Sequence, residues 1–383
     1  MSLSLLYRYV MTELAKVKED IDIENKQFDL EADSIEPFDP TKIRVDTRPM
    51  PIDLILKRIQ YEEIDLAPDF QRLANIWNQE NQSKLIESIL IRIPLPAFYI
   101  DATDENKWLV IDGLQRLSTL KNFIVDKTLK LSNLEFLSDI EGLTYDKLPR
   151  GYQRRIDETI LTVYAIEKGT PPEVKFNIFR RINTGGSSLS PQELRHALTQ
   201  GKASSFLKEL ANLSEFKRVT ELSKKKVSRM EDCEFILGFV AFSLCSYQNY
   251  PAKKGRDFFL YTQMEKIIGL DELTKTSLKD KFINAMNTAW KIFGKTAFRK
   301  PGLTSNNQKY PVNKALFECW SVPLSKLSAR QIDILEQKKD ILIDIFTQSV
   351  EANAEFEKSI SQAANKVRYR FKMVEEIIQK VLA

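Results

Sequence analysis

The feature that most constrains this chain is a change of hydrophobic period near residue 200. Before it, short β-branched or alternating runs at 64–66, 97–100, 108–111 and 159–166 are interleaved with helical patterns at 52–60, 81–91, 114–125 and 174–182. After Gly201 the strand-like runs largely vanish, and helical patterns follow at roughly 203–221, 229–247, 257–268, 275–293, 312–320, 328–350 and 354–382. A sheet face needs period two and a helix stripe needs period 3.6, so the two halves belong to different architectures. The sequence therefore predicts an α+β domain over 42–200 and an α-helical domain over 201–383. Upstream, Leu6, Tyr9, Val10, Leu14 and Val17 fall at helical spacing, and an aperiodic acidic stretch then runs to Pro37 and Pro40. Residues 1–41 read as a helix plus an acidic arm.

Composition excludes several chemistries. His196 is the one histidine in 383 residues, which rules out zinc sites built on several histidines and a self-contained His-Asn-His nuclease. Cys233, Cys245 and Cys319 are far apart and lack CxxC spacing, so they read as free thiols of a reducing cytoplasm. The longest apolar stretch, 235–245, falls well short of the roughly 20 residues that cross a bilayer. Met1–Tyr9 lacks the pattern of a secretion signal, and the expected location is cytoplasmic. Charge is uneven. Glu19–Asp39 holds nine acids against Lys26, a net −8, so the remainder of a +4 chain carries +12. A basic body is compatible with DNA as a partner, although charge runs are commonly solvated faces. Lys224, Lys225, Lys226 and Arg229 form one basic cluster. A second, Lys366, Arg368, Arg370 and Lys372, interleaves with Tyr369 and Phe371 on a helix whose apolar stripe is Val367, Phe371, Val374 and Ile378. Both are candidate DNA contacts.

Three motifs could carry chemistry. In Trp108–Leu120 an apolar strand runs through Asp112-Gly113 directly into a helix. The first amides of such a helix lack internal partners and attract phosphate, and Arg116 could clamp it bidentately. The competing reading makes Asp112 an N-cap with Gln115 completing a capping box. In Phe179–His196, Arg180 and Arg181 precede a turn, Asn183-Thr184-Gly185-Gly186, which offers exposed amides to an anion. Ser190, Pro191 and Glu193 then form a helix start with its own capping box. In the third, Phe70-Gln71-Arg72 follows a short strand and precedes Trp77, with Gln71 and Arg72 able to face a pocket shared with the first motif. Gly294-Lys295-Thr296 mimics the end of a P-loop but sits in a helical pattern and is rejected.

Asp112-Gly113-Leu114-Gln115-Arg116 resembles the Asp-Gly-Gln-Gln-Arg signature of the N-terminal domain of GmrSD-type, modification-dependent restriction endonucleases. The resemblance extends to Phe70-Gln71-Arg72 with Trp77, to Leu85-Ile86-Glu87-Ser88-Ile89-Leu90 with Ile93-Pro94-Leu95-Pro96, and to Arg181–Gly186 with Leu189-Ser190 and Glu193-Leu194-Arg195. It covers about residues 45–200. Arg229–Glu234 and Asn313–Phe317 are weaker features of the same kind. The resemblance implies a ParB/sulfiredoxin-like fold for the N-terminal domain, with Gly113-Leu114-Gln115-Arg116 as its phosphate loop. It implies binding of an NTP (GTP or another), with Mg2+, and hydrolysis that controls DNA cleavage in antiphage defence.

On that resemblance Asp112, Gln115 and Arg116 are the expected catalytic residues, with Asp112 also the expected Mg2+ ligand. Gln71, Arg72, Gly113, Arg116, Ser118, Arg180, Asn183, Thr184, Gly185 and Gly186 would hold the nucleotide. Leu114 stands where the family has Gln, so Asp112 and Gln115 would have to suffice for activating water. The family's full-length enzymes carry a His-Asn-His nuclease domain, so this chain is expected to act with DNA and a separate nuclease subunit; self-association is left open. The rival expectation is a module in which nucleotide switches DNA or partner binding without hydrolysis. An autonomous nuclease is the poorest reading, because no carboxylate cluster with a lysine stands at nuclease spacing.

Overall fold

A computed structural model of the chain describes residues 43–66, 77–182, 189–199, 203–302, 309–361 and 366–383. The helix and acidic arm expected before residue 42 lie outside them. Two compact units divide the chain, one spanning 38–202 and the other containing 203–383.

The first unit is mixed α/β. Its elements are β1 (Val45–Pro51), α1 (Ile52–Gln60), β2 (Ile64–Asp65), α2 (Gln79–Leu90), β3 (Phe98–Asp101), β4 (Trp108–Asp112), α3 (Leu114–Leu120), α4 (Arg150–Glu158), β5 (Ile160–Ile166), α5 (Pro172–Ile182) and α6 (Pro191–Leu198). One five-stranded sheet has the order β1-β5-β3-β4-β2. β1 is antiparallel to β5, β5 parallel to β3, β3 antiparallel to β4, and β4 parallel to β2. Phe98, Ile100, Val110, Leu161, Val163 and Ala165 alternate onto one sheet face. They are buried there with Ile55 and Ile59 of α1, and with Ile86, Ile89 and Leu90 of α2. Both helices present apolar residues at i, i+3 and i+4.

Two elements were not expected from the sequence. β1 carries Pro49 and Pro51, which lack the N–H that a central strand needs; it is tolerated because it pairs on one side only, with β5. α4 is RGYQRRIDE, and Ile156 is its one buried residue. Its position is fixed by contacts rather than by pattern: Arg155 Nη1 donates to the Leu90 carbonyl at 2.7 Å, and Tyr145 Oη donates to Asp157 at 2.6 Å. Burial and this carboxylate push the Tyr145 phenol well above its usual pKa. Over 114–125 the expected helix is α for α3, then widens into a π turn at Lys121–Val125.

The second unit is helical: α7 (Ser204–Ala211), α8 (Ser214–Thr220), α9 (Lys224–Ser228), α10 (Glu231–Leu244), α11 (Gly255–Ile268), α12 (Glu272–Phe293), α13 (Lys314–Leu324), α14 (Ala329–Gln337), α15 (Lys339–Ala352), α16 (Ala354–Ser361) and α17 (Val367–Leu382). Phenylalanines 216, 235, 239, 282 and 317 make a ring-on-ring core between α8, α10, α12 and α13. Inside it lies a charge cluster. Glu318 is 1% exposed and accepts from Arg256 and Arg370, each at 2.7 Å. Glu234 accepts from Arg256 at 2.8 Å and from Lys314 at 2.9 Å. Charges removed from water survive only when paired in this way. Gly238 makes room for it: a Cβ there would lie 2.8 Å from Glu318 Oε1. Among the described residues no helix is long and apolar enough to cross a membrane.

Candidate functional site

The first motif forms a strand-to-helix turn. β4 ends at Asp112, Gly113 adopts φ +99, and α3 starts at Leu114. The left-handed conformation favours glycine. So does packing, because a Cβ on Gly113 would collide with the Phe98 ring. Gly113 is the N-cap and, having no side chain, supplies no cap of its own. The expected alternative, a capping box from Asp112 and Gln115, is therefore corrected: both side chains bond elsewhere.

Asp112 Oδ2 accepts from Arg116 Nη2 at 2.9 Å, one helical turn on. The same guanidinium donates to the carbonyls of Pro96 and, at 3.1 Å, Ala97. It lies 4.3 Å from the centre of the Phe98 ring. Burial lowers the Arg116 pKa, and Asp112 opposes the shift. Arg116 thus fastens the Pro94–Ala97 segment to the β4–α3 turn. Asp112 keeps 40% of its side chain exposed and is the accessible member of the pair. Gln115 Oε1 accepts from the Trp77 backbone N–H at 3.3 Å, which brings the third motif's tryptophan to the first motif. Leu114 packs partly buried on the core of the unit. Ser118 is 6% exposed, and its hydroxyl has no hydrogen-bond partner among the described residues.

Arg180 lies half-buried near the end of α5. That helix is fastened to β3 by Lys175, which meets Asp101 at 3.0 Å and Thr103 at 2.6 Å. Sequence reasoning missed this pair, because nothing local marks two residues 74 positions apart as neighbours. Gln71, Arg72, Asn183, Thr184, Gly185 and Gly186 lie outside the described residues. After the last of these, Ser190 and Glu193 form the expected capping box at the start of α6. His196 on that helix is fully buried.

The basic clusters of the helical unit differ from expectation in one respect. Arg370 is 0% exposed and paired with Glu318, so it does not belong to a phosphate-facing surface. The reason is its spacing: it stands three residues after Val367 and four before Val374, on the apolar stripe. Arg368 donates to the Tyr250 carbonyl at 3.0 Å, and Lys366 pairs with Glu355 at 2.9 Å. Lys372 remains exposed, 3.8 Å from Glu376. Lys224 and Lys225 are exposed on α9, Lys226 meets Glu231 at 3.3 Å, and Arg229 is half-buried at the end of the same turn. Among the described residues no group of three or more His, Cys, Asp or Glu side chains could hold a metal ion.

Comparison with curated proteins returns no match, and neither does comparison with solved structures. A family model does match, over the segment that contains every element from α1 to α6: it is described as the GmrSD restriction endonuclease, N-terminal domain. The match covers residues 53–200, and that segment is similar to the N-terminal domains of GmrSD restriction endonucleases.

Proposed function

We propose that the chain is a nucleotide-dependent regulatory component of a restriction-type defence system, acting on DNA together with a separate nuclease subunit. The observation that carries this reading is the Asp112–Arg116 turn inside the matched segment. An apolar strand runs through a left-handed glycine N-cap into a helix, beside a half-exposed carboxylate. Backbone N–H groups at a strand–glycine–helix turn attract phosphate. A ParB/sulfiredoxin-like arrangement is the finer form of the same reading, with the nucleotide over the β4–α3 turn.

In this reading Arg116 acts as a positioning residue, since its guanidinium already serves Pro96, Ala97 and Asp112. Gln115 holds the Trp77 backbone next to the turn. The buried Ser118 hydroxyl and Arg180 are the remaining described polar candidates for phosphate or sugar. Magnesium fits: it needs few protein donors beside phosphate oxygens and water, and Asp112, with one oxygen on Arg116 and 40% of its side chain exposed, can supply one. The ion would neutralise phosphate charge. Hydrolysis, with no histidine base at the turn, would rest on positioning and charge stabilisation.

One observation favours a second reading, a nucleotide switch without turnover. Leu114, at the position where the resembled signature has Gln, is packed on the core and offers nothing to a water molecule.

The test is phosphate release from ATP, GTP, CTP and UTP with magnesium, with and without DNA, beside thermal-shift binding on the same samples. Wild type is compared with Asp112→Asn. Turnover abolished by the substitution supports an NTPase at this turn, and binding without turnover supports the switch. Absence of both overturns nucleotide dependence.

A further inference from the structure

The first unit contains a cleft of about 670 Å³ that none of the expected site residues lines. It lies between the chain leaving α2, the helix α4 and the first residues of β5. Its origin is a mismatch of strand length. β5 starts at Ile160, but its pairing with β3 starts only at Val163, opposite Phe98. Ile160, Leu161 and Thr162 therefore have β1 on one side and the cleft on the other. The opposite wall follows from the end of α2. There Arg92 adopts φ +64, its N–H bonds to the Ile89 carbonyl, and the Ile93 N–H bonds back to Ser88 at 2.8 Å. This helix-ending turn reverses the chain and sends Ile93, Pro94 and Leu95 along the cleft.

Two kinds of group line it. Ile93 is 51% and Ile160 57% exposed at its walls, alongside Leu95 and the Tyr152 ring. Arg92, Arg154 and Arg155 bring three permanent positive charges against the single acid Glu158. Arg155 is already used, donating to Leu90 and lying 5.6 Å from the Tyr152 ring centre. Arg92 and Arg154 are exposed, and no described residue pairs with either. The volume is that of a ligand site. A planar apolar group against Ile93, Leu95, Tyr152 and Ile160, with an anion on two guanidinium groups, is the chemistry of a nucleotide.

We propose that this cleft binds one nucleotide unit of a DNA strand, with phosphate on Arg92 and Arg154 and the base against the Tyr152–Leu95 wall. No residue of the β4–α3 turn lines it, and it rests on DNA being a partner, as the functional reading has it.

The experiment titrates the full chain into a fluorescein-labelled single-stranded oligonucleotide and follows anisotropy across roughly 50 to 200 mM salt. The double variant Arg92→Gln/Arg154→Gln is expected to bind about tenfold more weakly, with the slope of log K against log salt smaller by about 0.7, the share of the one single-strand phosphate that both arginines hold. Lys326→Gln/Arg330→Gln removes equal charge from the helical unit and is expected to leave both within twofold. Both variants alter exposed side chains, and melting temperatures equal to wild type verify folding. A double variant that binds as wild type does overturns the cleft while leaving the DNA partnership standing. No binding by wild type overturns both. Displacement of the strand by a free deoxynucleoside monophosphate, or by polyglutamate as readily as by unlabelled DNA, overturns a DNA strand as the occupant.

Discussion

Arg116→Ala, measured in the absence of any nucleotide, separates a residue that builds the site from one that only contacts ligand. Arg116 is 8% exposed, and its guanidinium serves three acceptors. Hydrogen bonds from charged donors contribute about 1.5–3 kcal/mol each where buried. Pro96 is exposed and Asp112 keeps 40% of its side chain in solvent, so their shares fall to about 1 kcal/mol or less. The half-buried Ala97 carbonyl adds roughly 1 kcal/mol and the Phe98 ring about another. The expected loss is about 2–4 kcal/mol, confined to the unit spanning 38–202. For a unit of that size, 1 kcal/mol moves Tm by about 2–4 °C, so scanning calorimetry is expected to show its transition lowered by roughly 5–15 °C. The helical unit's transition is expected to stay in place. A change below about 1 °C in the apo protein would refute the reasoning and return Arg116 to a pure phosphate contact.

Other perturbations test the same logic. Gly113→Ala combines a left-handed φ with a collision against Phe98 and is expected to cost about 2–4 kcal/mol in urea denaturation. Glu318→Gln leaves Arg370 buried without its counter-charge and is expected to cost about 3–5 kcal/mol, read as a lowered transition of the helical unit alone. Burial raises the pKa of Glu87, but the N–H groups of Glu135, Phe136 and Leu137 outweigh it and hold the pKa below the usual value. A depressed carboxylate contributes stability that is present above its unfolded pKa and is lost as pH falls through the folded one. Wild type is therefore expected to lose stability in that acidic window, and Glu87→Gln to flatten the loss while costing about 1–3 kcal/mol at neutral pH. Ser190→Ala removes one half of the α6 capping box and is expected to cost about 1 kcal/mol in the same denaturation assay.

What could be read from the sequence was what local pattern encodes. The helix over 52–60, the strand running into Asp112-Gly113 and the Ser190–Glu193 cap are each set by neighbours within four positions. Arg116 shows the limit: its motif is local, but two of its acceptors arrive from 19 and 20 residues away. A reading of 108–120 alone therefore cannot place those two carbonyls beside the guanidinium. β1 was hidden because prolines argue against strands, and only the topology reveals that it is an edge. α4 was hidden because helix formation there is imposed by packing on Leu90 and Tyr145, not by an apolar stripe. Arg370 could have been placed by counting from Val367 and Val374 rather than by grouping it with the cations on either side.

The fit of Glu318 beside Gly238 ties together positions that lie far apart in the chain. A helix-interior glycine costs about 1 kcal/mol relative to alanine, and here that loss admits a carboxylate that would otherwise meet a methyl group at 2.8 Å. The two positions are consequently not free to drift separately. A chain that regains a side chain at 238 must shorten or discharge the residue at 318, and the partners of that residue at 256 and 370 must then change as well. Four positions spread over 133 residues are in this way energetically coupled, so a substitution at one sets what the other three can hold.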